Sequence, residues 1–226
     1  MTCDQTFHEG ELDCADVRAL LALHFAEMRA DSPPEACHVL PIDGLHDPAI
    51  RFFSLRNKDG ALLGVGALKM LAPGHSEIKS MRTAPTALGQ GVGGALLAHL
   101  TATARASGLT RLSLETGNSP LFAAANRLYQ RDGFEPCGPF GGYRATPFTL
   151  FYTRIIKPDS HHPSCIPRHP LLGARQPMGG ARYCRRALFD KWGNYLCLEL
   201  IARGEFRRHS GQLGGALCIR SVRPCP

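Results

Sequence analysis

The chain has no run of apolar residues approaching the ~18 that a membrane span requires. Its first residues, Met1-Thr2-Cys3-Asp4-Gln5-Thr6-Phe7-His8-Glu9, have neither the basic nor the apolar stretch of a secretory leader. Nine cysteines are scattered with no C-x-x-C spacing, so nothing suggests a zinc module, and without export they are expected to stay reduced. These absences make a cytoplasmic protein without a membrane partner the expectation. What is plentiful is positive charge, with 26 Lys and Arg against 19 Asp and Glu, a net +7 over 226 residues. The charge is unevenly placed. Through residue 156 there are 14 basic and 15 acidic residues, and from Lys157 onward 12 against four. A nucleic-acid argument from whole-chain charge would therefore rest on the tail alone.

Hydrophobic periodicity sets the expected elements. Residues 11–31 read as an amphipathic helix ended by Ser32-Pro33-Pro34. Ile50 to Leu55 reads as a strand, Asn57-Lys58-Asp59-Gly60 as a hairpin turn, and Ala61 to Met70 as the partner strand, with Gly64 and Gly66 suggesting a bulge. Ser76 to Thr83 is a third strand. Val92 to Ser107 is a helix closed by Gly108, Leu109 to Leu114 a strand, Leu121 to Arg131 a helix closed by Gly133, and Phe148 to Ile156 a last strand. The order predicts a mixed α/β (α+β) domain over residues 1–156. Residues 157–226 form a basic extension rich in Pro, Arg and Cys, expected to be largely disordered, with only Ala187 to Ile201 suited to local order. There, Arg182, Arg185, Arg186, Arg207 and Arg208 with Tyr183, Trp192 and Tyr195 could contact nucleic acid. Cys165, Cys184, Cys197, Cys218 and Cys225 with His161, His162, His169 and His209 lack tight ligand pairs, so no metal is expected.

Leu88-Gly89-Gln90-Gly91-Val92-Gly93-Gly94 joins a strand to a helix. Successive glycines let backbone N–H groups converge, and the helix start adds positive potential, which suits a phosphate. Gly89, Gly91 and Gly94 fit G-x-G-x-x-G, with Glu115 about twenty residues on, as in a dinucleotide fold. Against that stand the charged strand Ser76-Glu77-Ile78-Lys79-Ser80-Met81-Arg82, ill suited to burial on both faces, and the residues Ala84 to Leu88 before the first glycine.

Residues 83–97, with Pro85 before Leu88-Gly89-Gln90-Gly91-Val92-Gly93, resemble the acyl-CoA segment of the GNAT N-acetyltransferases, Leu88 standing where Arg or Gln is usual. Ala125-Asn126-Arg127-Leu128-Tyr129-Gln130-Arg131-Asp132-Gly133-Phe134 is similar to that family's Ala-x-x-x-Tyr-x-x-x-Gly-Phe helix end. The resemblance spans about residues 11–156 and extends to a small bacterial subgroup. It implies a GNAT acyl-CoA N-acyltransferase fold with a splayed central sheet. It further implies acetyl-CoA as acyl donor, with Leu88, Gly89, Gln90, Gly91, Val92, Gly93 and Gly94 at the pyrophosphate. Met81 and Thr83 would lie near the thioester, with strand N–H groups for the developing oxyanion. Tyr129 would donate to the departing thiolate. The base is Glu77 first or Glu115 second. With alternation, Glu77, Lys79, Met81 and Thr83 share one face of their strand, and Ser80 and Arg82 the other. His24, Glu35 and His38 would lie over the acceptor pocket, and Arg82, or Arg144 beside Tyr143, could clamp a carboxylate. The reading is an N-acetyltransferase acting by direct attack on a small, amino-acid-like amine acceptor, with a homodimer left open. The alternatives are a non-catalytic acyl-CoA sensor or a protein recruited to nucleic acid by its tail.

Overall fold

The computed structural model describes residues 5–157 and, beyond them, the backbone of three strands at 187–189, 195–200 and 206–210. The chain divides into two units, Met1–Asp159 and Ser160–Pro226. The first begins with β1 (Gln5–Glu9), α1 (Ala15–Asp31) and the meander β2 (Ile50–Asn57), β3 (Leu62–Ala72) and β4 (His75–Thr83). It continues as α2 (Val92–Ala106), β5 (Arg111–Gly117), α3 (Ala123–Arg131), β6 (Glu135–Pro136) and β7 (Thr149–Ile155). The strands form one sheet in the order β1-β2-β3-β4-β5-β7-β6, antiparallel throughout except between β4 and β5. This is the mixed α/β architecture that the element order implies. No helix among the described residues is long and apolar enough to cross a membrane.

Local chemistry explains the boundaries. Gly10 and Glu11 adopt φ of 96° and 66°, turning the chain out of β1, so α1 starts at Ala15 and not at residue 11. Arg56 fixes that start, bonding Glu11 at 2.9 Å and Asp16 at 2.6 Å. Val17, Leu20 and Leu21 are buried, whereas Leu23, at helical spacing from Leu20, is exposed. Asn57 Oδ1 accepts from the N–H groups of Asp59 and Ala61, closing the expected hairpin. β1 escapes the periodicity reading because it is polar and brings one large apolar side chain, Phe7, whose ring stacks on His99 of α2 at 3.8 Å. Cys14 is disulfide-bonded, a departure from the reduced state expected, while Cys37 and Cys137 are free.

The bulge lies opposite Gly66 and belongs to β4. Val65 pairs with Arg82 and Ala67 with Lys79, so β4 carries one residue more than β3 between these pairs, and Ser80 takes φ of 51°. The extra residue breaks the simple alternation expected for β4. Glu77, Lys79 and Arg82 pair with Lys69, Ala67 and Val65 and so share a face, where Arg82 meets Glu27 of α1. Met81 and Thr83 turn to the α2 side. A Cβ on Gly66 would lie 3.3 Å from Met81 and 3.1 Å from Leu100 of α2. On Gly64 it would lie 2.7 Å from the Arg82 carbonyl oxygen and 2.9 Å from Leu96, so only glycine lets α2 seat on the sheet here.

In the second unit β8 (Ala187–Phe189), β9 (Tyr195–Leu200) and β10 (Phe206–Ser210) pair antiparallel in the order β10-β9-β8. The first two lie in the stretch expected to order, and β10 lies outside it. The rest of the extension, and the side chains behind the nucleic-acid and metal readings, fall outside the described residues.

Candidate active site

The parallel pairing of β4 and β5 covers only His75–Glu77 against Arg111–Ser113. Beyond it the strands part, and the gap becomes a cleft of about 160 Å³. Residues 78–82 of β4 and 115–117 of β5 form its base, His24 and Met28 of α1 and the 36–39 segment one wall, and Ala125 and Tyr129 of α3 the other. The cleft is thus a product of topology, since two adjacent parallel strands diverge where no ladder bond holds them.

Behind it lies a buried polar cluster. Glu77 is 1 % exposed and Lys79 8 %, with Lys79 Nζ 3.3 Å from Glu77 Oε1. The Tyr143 hydroxyl donates to Glu77 Oε1 at 2.7 Å and accepts from Lys79 Nζ at 2.7 Å, while Lys79 also donates to the His38 carbonyl at 3.2 Å. Burial and the Glu77 charge raise the Tyr143 pKa, keeping it a phenol. The charged residues that argued against a central strand are therefore buried in one after all, because they neutralise each other there. The dinucleotide alternative is excluded instead by the antiparallel meander. Glu77 is not part of the cleft lining, and Tyr143 is engaged with it.

Two other groups of the sequence reading do face the cleft together. Glu115, on β5, has its pKa raised to about 7 by burial, with Lys79 opposing and Glu77 adding to the effect. Tyr129, 7 % exposed on α3, is pushed up to about 12 by burial and by Glu115. On the opposite wall, burial and the charges of Arg82 and Lys79 lower His24 to about 4. His38 is lowered by burial and by Lys79. Arg82 joins them in the lining, its Nη2 2.6 Å from Glu27 Oε2. Glu35 and Arg144 are exposed and lie outside the lining.

The glycine segment sits at the start of α2. Gly89 and Gly91 have φ of 74° and 79°, values that strain any residue with a Cβ, and a Cβ at either would meet nothing within 4 Å. The first α2 bond in this turn runs from Ala95 N–H to the Gly91 carbonyl, so Val92, Gly93 and Gly94 direct N–H groups out of the helix end without an intrahelical acceptor. Gln90 bonds back to the Thr86 carbonyl at 3.0 Å, and Leu88 is 64 % exposed. A Cβ on Gly93 would lie 3.3 Å from Leu128, so this helix start abuts α3 one residue before Tyr129. Met81 lines the cleft, and Thr83 lies on the α2 side near Gly93.

The sequence reading missed two participants. Lys79, which alternation puts on the face of Glu77, has no role in that reading, although the structure makes it the counter-ion of Glu77. Glu27, the counter-ion of Arg82, sits three residues from His24 on α1 and carries no distinguishing local pattern.

A seven-stranded mixed sheet split between adjacent parallel strands, with a glycine-rich helix start beside the split, defines the acyl-CoA N-acyltransferase class of fold. The acetyltransferase (GNAT) family matches residues 15–134, more than half of the chain, and the chain belongs to that family. It is 39 % identical over 158 residues to the uncharacterized N-acetyltransferase YedL of Escherichia coli, covering 70 % of this chain and 99 % of that one. It is 41 % identical over 146 residues to the uncharacterized N-acetyltransferase YsnE of Bacillus subtilis, covering 65 % and 96 %. The crystal structure of spermidine N-acetyltransferase from Vibrio cholerae, in complex with CoA and spermine, matches with a TM-score of 0.51 and 17 % identity. That match covers 67 % of this chain and 95 % of the other, a likeness of fold. The chain is an acetyl-CoA-dependent acyltransferase of the N-acetyltransferase type.

Proposed function

We propose that the enzyme acetylates the amine of a small-molecule acceptor by direct attack in this cleft, with Glu115 as base and Tyr129 as acid. The observation that carries the reading is their joint presence in the gap between β4 and β5, next to the start of α2. The open, positive-φ glycines and the unpaired N–H groups of Val92 to Gly94 fit a pyrophosphate, so Leu88 to Gly94 would hold that part of acetyl-CoA. Bound there, acetyl-CoA supplies an acetyl group activated as a thioester.

The chain's own residues then have distinct tasks. β4 beyond Glu77 has lost β5 as a partner, which leaves peptide groups on that edge for the pantetheine arm and the carbonyl oxygen. Glu115, raised to about 7, is partly ionised at neutral pH and takes a proton from the acceptor ammonium. As the amine nitrogen bonds the carbonyl carbon and the C–S bond breaks, the Tyr129 hydroxyl donates its proton to the sulfur. The second proton lost by the nitrogen as the amide forms restores the phenol, leaving the first on Glu115 to be released to solvent. With its pKa pushed up to about 12, Tyr129 holds its proton at neutral pH. Catalysis is assigned to residues 1–156, since every described residue that lines the cleft lies in the first unit, and no role is assigned to 157–226.

The test is thiol release from acetyl-CoA by the full chain across a panel of amines. At least one amine should release thiol, and Tyr129→Phe should lower kcat by about 100-fold while leaving CoA affinity unchanged. Thiol release by no amine, or undiminished turnover in Tyr129→Phe, refutes the reading.

A further inference from the structure

We propose that the acceptor carries a carboxylate as well as its amine, and that Arg82, with His24 and His38, receives that carboxylate on the α1 side of the cleft. The inference rests on the acetyl-transfer reading above and names its substrate class.

Six buried side-chain polar atoms among the described residues have no hydrogen-bond partner. Three of them, His24 Nδ1, His38 Nε2 and Arg82 Nε, belong to side chains that line this one cleft. The others, on Glu77, His99 and Asn126, belong to residues outside the lining. Buried polar atoms are nearly always paired, and those left unpaired at a site call for a ligand that completes them. All three are nitrogens. Burial keeps His24 neutral above about pH 4, so its ring has one N–H to donate. Arg82 spends Nη2 on Glu27, and its Nε–H remains. With the ring protons on His24 Nδ1 and His38 Nε2, these two donors and the Arg82 Nε–H suit a planar, two-oxygen anion.

The charges distribute the acceptor's two ends. Arg82 and Lys79, on the β4 side, disfavour an ammonium, whereas Glu115 on β5 attracts one. An amino acid therefore spans the split with its carboxylate toward β4 and α1 and its amine toward β5 and α3. Arg144, the other arginine that could clamp a carboxylate, is exposed and outside the lining.

The experiment compares free L-amino acids with their carboxamides, by thiol release and by calorimetric titration of the full chain in the presence of CoA. For the best-used amino acid, kcat/KM should exceed that of its carboxamide by about 10- to 100-fold, and Arg82→Met should bring that ratio toward unity. Glu27→Gln, which frees the guanidinium, should raise the ratio and so tests the same contact in the opposite direction. Binding of the amino acid should also move the His24 titration, followed by NMR, to higher pH. A wild-type ratio near unity, or a ratio that both variants leave unchanged, overturns the proposal. Thiol release from amines without any carboxylate preference refutes it while leaving acetyl transfer standing. Arg82-dependent binding of amino acids without thiol release supports the carboxylate site and sinks the transfer reading instead.

Discussion

Replacing Glu115 with Gln separates the cost of a buried carboxylate from its catalytic use. In the folded protein burial moves this group from 4.5 to about 7. At about 1.4 kcal/mol per tenfold, this corresponds to at most about 3 kcal/mol. The sign follows from proton counting. Between those two values the folded state holds the proton more tightly than the unfolded one, so stability falls as pH rises and the whole cost is present above about 7. Glu115→Gln cannot ionise. Its stability relative to wild type should thus improve by up to about 3 kcal/mol between pH 5 and pH 8 in urea titrations. His24, lowered to about 4, works in the other direction between 6.5 and that value, losing stability as pH falls. Its contribution is common to both proteins and drops out of the difference. In the kinetic arm, wild-type kcat/KM should fall tenfold per pH unit below about 7 as the base protonates. The variant should lose that limb and about 10²- to 10⁴-fold in rate. The acceptor's own ammonium adds a second, more alkaline limb to both. If the variant keeps the limb near 7, or if its stability tracks wild type across this range, Glu115 is not the buried, ionising base.

Gly91→Ala should cost about 1–2 kcal/mol, because the residue must hold φ of 79° even though its Cβ would have room. A shift of the loop to relieve that strain should raise the CoA dissociation constant about tenfold or more in calorimetry, and unchanged CoA affinity would argue against the pyrophosphate assignment. Tyr143→Phe should cost about 2–3 kcal/mol in urea unfolding, since it strips a hydrogen bond from the buried carboxylate of Glu77. In the Glu77→Gln background the same change should cost much less, and an equal cost in both would show that the two are not coupled.

Much of the architecture was legible because strong periodicity and turn chemistry agree. β2, the Asn57–Gly60 turn, β3, α2 with its Gly108 stop and the α3–Gly133 junction all lie close to their expected bounds. β1 was hidden because an edge strand can be stabilised by one stacked ring and its ladder. The facing of β4 was misread because alternation assumes one residue per step, and the extra residue at Ser80–Met81 is visible only once Gly66 and its partner strand are in register. Within the site, the family resemblance nominated Tyr129, and with it His24, His38 and Arg82 for the acceptor side, while Glu115 stood second as base. What alternation misplaced is the face of Arg82, which depends on the bulge that turns it to the α1 side.

The buried ion pair and the open cleft are consequences of one event. Where β4 and β5 part after Glu77 and Ser113, the sheet loses ladder bonds that would otherwise fix the surrounding loops. The 137–148 segment has no regular structure, yet Tyr143 ties it to Glu77 and Lys79, with Phe140 packed edge-on against Phe151 of β7. The same Lys79 amine holds the His38 carbonyl on the far wall. One ammonium thus bridges the two loops flanking the split and does what the missing ladder would have done. An apolar pair at positions 77 and 79 could fill the volume but offers no directed bond to either loop. Buried charge here trades the desolvation of two groups for directed bonds that fix the 137–148 and 36–39 segments to β4.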